Sequence, residues 1–164
     1  MASPRRVGAA KPRKLRAPRK PRTSARKPTS ARGSKKRESR EEARLRNDAA
    51  RPHALAIARV GIEHRALDVE IIDVRGKVDY ADYVIVMAGR SDRQVGALVR
   101  HISEAMEREA GVRCLAVEGM PRATWVLMDF GDVIVHLFHQ DTRGYYDIES
   151  LFIDAARVPV DARP

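Results

Sequence analysis

Apolar residues change their spacing several times between residues 54 and 156, and each change marks an element. From Ala54, Leu55, Ala58 and Ile62 recur at helical steps with Arg59, Glu63 and Arg65 elsewhere on the turn, which predicts a short amphipathic helix. Val69 to Val74 is β-branched and partly alternating, a strand that Gly76 ends. Tyr83-Val84-Ile85-Val86-Met87-Ala88 is a continuous apolar run between Asp82 and Gly89. A strand covered on both faces reads this way, so it is expected at the centre of a sheet. Ser91, with Gln94 three residues later, has the capping-box spacing in which each side chain satisfies an exposed backbone donor. Val95, Leu98, Val99, Ile102 and Met106 then follow in steps of three and four until Gly111 stops the helix.

Three further strands are predicted at Arg113 to Val117, Thr124 to Phe130 and Asp132 to Phe138, the last two joined at Gly131-Asp132 as a hairpin. Asp147 to Ala156, carrying Ile148, Leu151 and Phe152, reads as a closing helix. The stretch from Ala88 to Arg113 is long enough for a crossover, whereas the hairpin pair is necessarily antiparallel. The expected fold is therefore α/β: a single small domain with a mixed sheet of about five strands flanked by helices. With a two-residue turn, Asp129 opposes Ile134, Leu127 opposes His136 and Trp125 opposes Phe138. Side-chain alternation then puts Trp125, Leu127, Asp129, Ile134, His136 and Phe138 on one face, and Val126, Met128, Phe130, Val133, Val135 and Leu137 on the other. The second set is wholly apolar and forms the core. The first mixes the chain's only tryptophan with a carboxylate and an imidazole, the composition of a binding surface. A helix covering Trp125 and Phe138 while Asp129 and His136 pair with each other is the alternative; a one-residue register change would redistribute both faces.

Charge divides the chain in two. The net charge of +10 over 164 residues conceals a basic segment, residues 1–51, with 19 Lys or Arg against 4 Asp or Glu, and an acidic remainder with 13 against 18. Residues 1–51 hold little to bury, and five prolines interrupt any helix, so this tail is expected to be disordered when free. A polycation suits phosphate backbones, and ribosomal RNA is a candidate partner for it. A solubilising extension and, less well matched, an organelle transit peptide are the other readings. Residues 52–156 are the predicted domain and 157–164 a short C-terminal tail. An acidic domain meets basic proteins more readily than phosphates. Cys114, the only cysteine, is read as a buried strand thiol. With no run of about 18 to 20 apolar residues and no apolar secretory core, a cytoplasmic, membrane-free setting is expected.

Catalytic chemistry finds little footing. His136 and His139 lie three apart on one predicted strand and point to opposite faces, so a shared metal is disfavoured and no metal site is expected. His53, His64 and His101 lie in helical, mostly polar settings and read as solvated. Gly89-Arg90-Ser91 at a helix start offers donors to an anion, but Ser91 is accounted for as a cap. Asp129 and Asp132 resemble a nucleotidyltransferase pair only loosely, and no phosphate loop, nucleophile elbow or paired-cysteine motif is present. Neither catalytic residues nor cofactors are expected.

Several dispersed blocks resemble the ribosomal silencing factor family, RsfS, also called iojap-like. They are Asp73-Val74-Arg75-Gly76, Asp79-Tyr80-Ala81-Asp82-Tyr83, Gly89 to Val95, Val117-Glu118-Gly119 with Trp125, Asp129 to His136, and Arg143 to Phe152. The resemblance covers about Leu55 to Phe152 and implies a small mixed sheet with flanking helices. It also implies a translational repressor that binds large-subunit ribosomal protein L fourteen and blocks joining of the two subunits when nutrients are scarce. Glu118 and Trp125 match binding residues of the family; Asp129, His136 and Phe138 join them from the hairpin face. Family members self-associate, so a homodimer through the sheet edge or the helix from Ser91 to Ala110 is a further expectation. An RNA-binding ribosome-associated or assembly factor acting through the basic tail is the alternative function. Two departures stand out: Leu151-Phe152 where the family commonly has Leu-Trp, and the long basic extension.

Overall fold

Residues 48–160 are described by the computed structural model. In chain order they form α1 (Arg51–Glu63), β1 (Leu67–Asp73), β2 (Tyr83–Gly89), α2 (Asp92–Ala105), β3 (Ala116–Glu118), β4 (Trp125–Asp129), β5 (Val133–His139), α3 (Gln140–Tyr146) and β6 (Arg157–Val158). A π-helical turn, Met106–Ala110, prolongs α2, and a 3-10 turn, Ile148–Phe152, follows α3. The predicted basic tail lies, up to residue 47, outside the described residues.

The strands make one mixed sheet in the order β3-β4-β5-β2-β1-β6. β2 and β5 are its parallel centre, paired from Tyr83↔Val133 to Gly89↔His139. β1 and β4 flank them antiparallel. All seven residues of β2 are buried, because helices cover one face of the sheet and the C-terminal segment covers the other. The first face packs Ile85, Met87, Val126, Met128, Val135 and Leu137 against Ile57, Val95, Leu98 and Ile102 of α1 and α2. On the second, Ile72, Val84, Val86, Ile134 and Phe138 meet Phe152 and Ala155.

Several local details differ from the sequence expectation. The buried stripe of α1 is Ala54, Ile57, Ala58, Val60 and Gly61, while Leu55 and Ile62 are only partly covered. Small residues face the sheet because the helix lies close to it: a Cβ on Gly61 would come within 2.9 Å of the Met87 thioether. The predicted helix at Asp147 to Ala156 is not formed. Helix instead occupies Gln140–Tyr146, where the His139 side chain caps the Asp141 amide, and it stops at Asp147, whose φ of 43° is left-handed. From there the 3-10 turn lowers Phe152 onto the sheet, and Arg157 donates to the Phe152 and Ala155 carbonyls as the chain returns to β1. The return makes the sheet six-stranded rather than about five: Arg157 and Val158, assigned from sequence to a C-terminal tail, pair with Ile72 and Ile71. At the other boundary Asp48 and Ala50, ahead of residue 52, already pack against the domain. The strand expected over Arg113 to Val117 is shorter and later, Ala116–Glu118, because the Leu115 amide is taken by the Asp129 carbonyl before regular pairing begins. Cys114 therefore precedes the strand and is half-buried, its thiol pushed up by desolvation and directed at the Ala116 carbonyl.

Candidate protein-docking surface

The hairpin register is the one the turn residues predict: Trp125↔Phe138, Leu127↔His136 and Asp129↔Ile134. Phe130 N–H donates to the Val133 carbonyl, and the Asp129 carboxylate accepts the Gly131 amide at 2.7 Å, which fixes the tight turn. β3 then adds what the sequence left open. It pairs Glu118 with Leu127 and Ala116 with Asp129. Opposed residues of neighbouring strands share a face, so Glu118, Leu127 and His136 form one cross-strand row beside the row of Trp125 and Phe138. β3 is the outermost strand, all three of its residues are exposed, and Glu118 therefore stands at the rim.

Trp125 is half-buried, held by aromatic packing and one directional bond. Its ring centroid lies 5.4 Å from Phe138 and 4.5 Å from Tyr146, and its indole N–H donates to His136 Nδ1 at 3.1 Å. That bond requires an unprotonated Nδ1. Burial favours the same state by holding the imidazole below its ordinary pKa. The Trp125 backbone is fixed from two sides. His139 N–H and the Thr142 hydroxyl both donate to the Thr124 carbonyl, and Gly119, at φ 94°, lets the Glu118–Ala123 loop close over β4. A Cβ at Gly119 would overlap the Trp125 carbonyl oxygen, so no other residue fits this crossing.

Of the five residues singled out from sequence, Glu118, Trp125, Asp129 and His136 share one accessible or partly accessible face. Phe138 is 0% exposed and cannot touch a partner; it is the floor on which Trp125 rests. Asp129 and His136 do not pair with each other, their contacts being Gly131 and Trp125. Sequence reasoning missed the aromatic continuation. Tyr146 packs at a tilt against Trp125 and meets Tyr145 edge-on, and Tyr145 is 84% exposed. The adjacent tyrosines are legible as residues but not as neighbours of the hairpin, because nothing in the apolar pattern predicts α3. On and beside the edge strand β3, Leu115, Val117 and Met120 are exposed apolar side chains.

The arrangement offers a carboxylate rim, an aromatic platform and a polar hinge between them. Among the described residues no group of three or more His, Cys, Asp or Glu is placed to hold a metal ion. Among the same residues no helix is long and apolar enough to cross a membrane.

Fold and surface together define a small mixed-sheet α/β protein with a partly exposed face of carboxylates and aromatic rings. The family model for the ribosomal silencing factor during starvation, RsfS, matches residues 47–164, and the chain belongs to that family. It is 41% identical over 99 residues to the ribosomal silencing factor RsfS of Bacillus subtilis, covering 60% of this chain and 83% of that one. It is also similar, at 27% over 95 residues, to a mouse protein named for mitochondrial assembly of the ribosomal large subunit, covering 55% of this chain and 40% of that protein. A crystal structure of a Chromobacterium violaceum protein superposes with a TM-score of 0.60 at 30% identity, covering 68% of this chain and 91% of that one.

Proposed function

We propose that this silencing factor represses translation by docking its Glu118–Trp125 face on large-subunit ribosomal protein L fourteen, so that its bulk prevents the small subunit from joining. The placement of Glu118 and Trp125 on one face at the open edge of the sheet carries this reading. A rim carboxylate steers toward a basic protein, and a tryptophan braced from behind loses little side-chain freedom on binding. Steric exclusion needs affinity and volume but no reacting group, which agrees with a site built of packing contacts. The action belongs to the cytoplasm, where subunits meet.

Subunit joining measured with the Trp125→Ala protein tests the site. Truncating a central aromatic anchor costs about 2–4 kcal/mol, or roughly 30- to 1,000-fold in affinity. Inhibition should fall accordingly while circular dichroism shows an intact fold. Undiminished inhibition by the folded variant would refute the assignment.

A further inference from the structure

The short helix α3 presents two different faces. Residues four apart share a face of a helix, so Thr142 and Tyr146 form one pair and Asp141 and Tyr145 another. The first pair is turned inward. The Thr142 hydroxyl donates to the Thr124 carbonyl at 2.8 Å, and the Tyr146 ring lies 4.5 Å from Trp125 and 5.9 Å from Phe138. The second pair is turned out: Tyr145 is 84% exposed and the Asp141 side chain 77%. Side chains of a helix lean toward its N-terminus, which brings the Tyr145 ring back over the turn that carries Asp141. Neither group is engaged by a cation of the domain. Tyr145 meets Tyr146 edge-on at 5.2 Å, and among the described residues no cation covers its ring and no hydrogen bond holds its hydroxyl. The Asp141 carboxylate lies 3.6 Å from His139 Nδ1, but that nitrogen accepts the Asp141 amide and so has no proton to give. Arg143, the one base on α3, is drawn away by Glu149 and the Asp68 carbonyl.

An exposed tyrosine ring beside an unpaired carboxylate is a seat for a guanidinium or ammonium group: the ring face attracts the cation and the carboxylate neutralises it. Its place relative to the docking face is fixed. Along β4 and β5 the row of Glu118, Leu127 and His136 comes first, the row of Trp125 and Phe138 next, and α3 follows directly on His139. Trp125 therefore has a carboxylate on either side, Glu118 at the β3 rim and Asp141 on α3. A single aromatic contact leaves a partner free to turn about it, whereas a second contact to one side removes that freedom. We propose that Asp141 and Tyr145 hold an arginine or lysine side chain of the protein that docks on Trp125, a second anchor that sets how the partner is turned about the tryptophan. This rests on the docking reading given above, and a basic partner is what both carboxylates favour.

The test measures binding of purified ribosomal protein L fourteen by the full chain and by full-length Tyr145→Ala, Tyr145→Leu, Tyr145→Phe, Asp141→Asn and Trp125→Ala, at low and high salt. Both α3 side chains are exposed, so their variants should keep the fold; circular dichroism and unchanged Trp125 emission check it. Tyr145→Ala should weaken binding about five- to thirtyfold, the range between an exposed cation–π contact and a desolvated one. Tyr145→Phe should stay within about threefold, whereas Tyr145→Leu, which keeps apolar area but no ring, should lose as much as Tyr145→Ala. Asp141→Asn should weaken binding roughly three- to tenfold at low salt and little at about 0.5 M, where surface charge is screened. In the Asp141→Asn/Tyr145→Ala protein the two losses should fall short of multiplying, because one cation serves both groups. Binding by Tyr145→Ala within about twofold of the unaltered chain, full rescue by Tyr145→Leu, or losses that multiply completely would each overturn the proposal. Trp125→Ala then separates the two readings: if it alone loses binding, the docking face stands without this anchor, and if it too binds normally, both readings fall.

Discussion

His136 is the residue on which the docking face pivots. Burial depresses its pKa, so on acidification the unfolded chain takes up this proton first, and the stability that neutral His136 contributes is complete above about pH 6.5 and is lost as the pH falls toward the folded value. Protonation of Nδ1 would also remove the acceptor of the Trp125 indole. With a single tryptophan in the chain, intrinsic fluorescence reports the event directly: the emission should change only as the pH falls below about 6.5, and a His136→Gln protein should lose most of that dependence. Gly119 supports the same face through its backbone. Gly119→Ala should cost about 2–3 kcal/mol in a denaturant titration, because both the positive φ and the overlap with the Trp125 carbonyl must be relieved, and it should weaken docking by displacing Glu118. Neither role is visible in composition. The sequence makes Trp125 and Glu118 conspicuous, but which side of the sheet Glu118 takes depends on how β3 meets β4, and that pairing is tertiary.

At the scale of elements, the most legible feature is the start of α2. The Ser91 hydroxyl accepts the Gln94 amide as predicted, whereas the Gln94 side chain accepts from Arg90 N–H rather than from Ser91 itself. It also donates to the Arg65 and His64 carbonyls at the end of α1, so a local cap doubles as a link between helices. Gln94→Ala should therefore lower the denaturation midpoint by more than a cap alone, about 1–2 kcal/mol, with Gln94→Glu restoring only the bond to Arg90. β2 and the β4–β5 hairpin are equally readable, because a continuous apolar run and a Gly-Asp turn each leave few alternatives. The segment after β5 is not. Gln140 to Tyr146 has no apolar stripe and contains Gly144, while Asp147 takes a left-handed conformation that a non-glycine residue does not announce. Periodicity therefore places the helix one segment too late, and with it goes the reason that Phe138 is covered and that Tyr146 lies on Trp125.

For the molecule as a whole, the C-terminal segment is a strap held across one face by charge. Arg143 donates to Glu149 at 2.6 Å and to the Asp68 carbonyl at 2.5 Å and lies 3.6 Å from Glu70, which also accepts from Arg157 at 3.2 Å. Arg143→Ala leaves the largely covered Glu149 without its cation and Glu70 with Arg157 alone, and should cost about 1–3 kcal/mol. Amide exchange should accelerate over residues 148–158 well before α1 or α2 responds, and Arg143→Lys should rescue little, since Nε, Nη1 and Nη2 of the guanidinium face separate acceptors that a single ammonium nitrogen cannot span. The centre of the sheet carries a different consequence. Its parallel seam joins Tyr83 to Val133, residues fifty apart, so neither half of the polypeptide can complete a core alone. Such distant pairing folds slowly, and during synthesis everything through β5 must leave the exit tunnel before the seam can close. A product terminated ahead of β5 is thus inert, and only a copy carried past it can act on the machinery that made it.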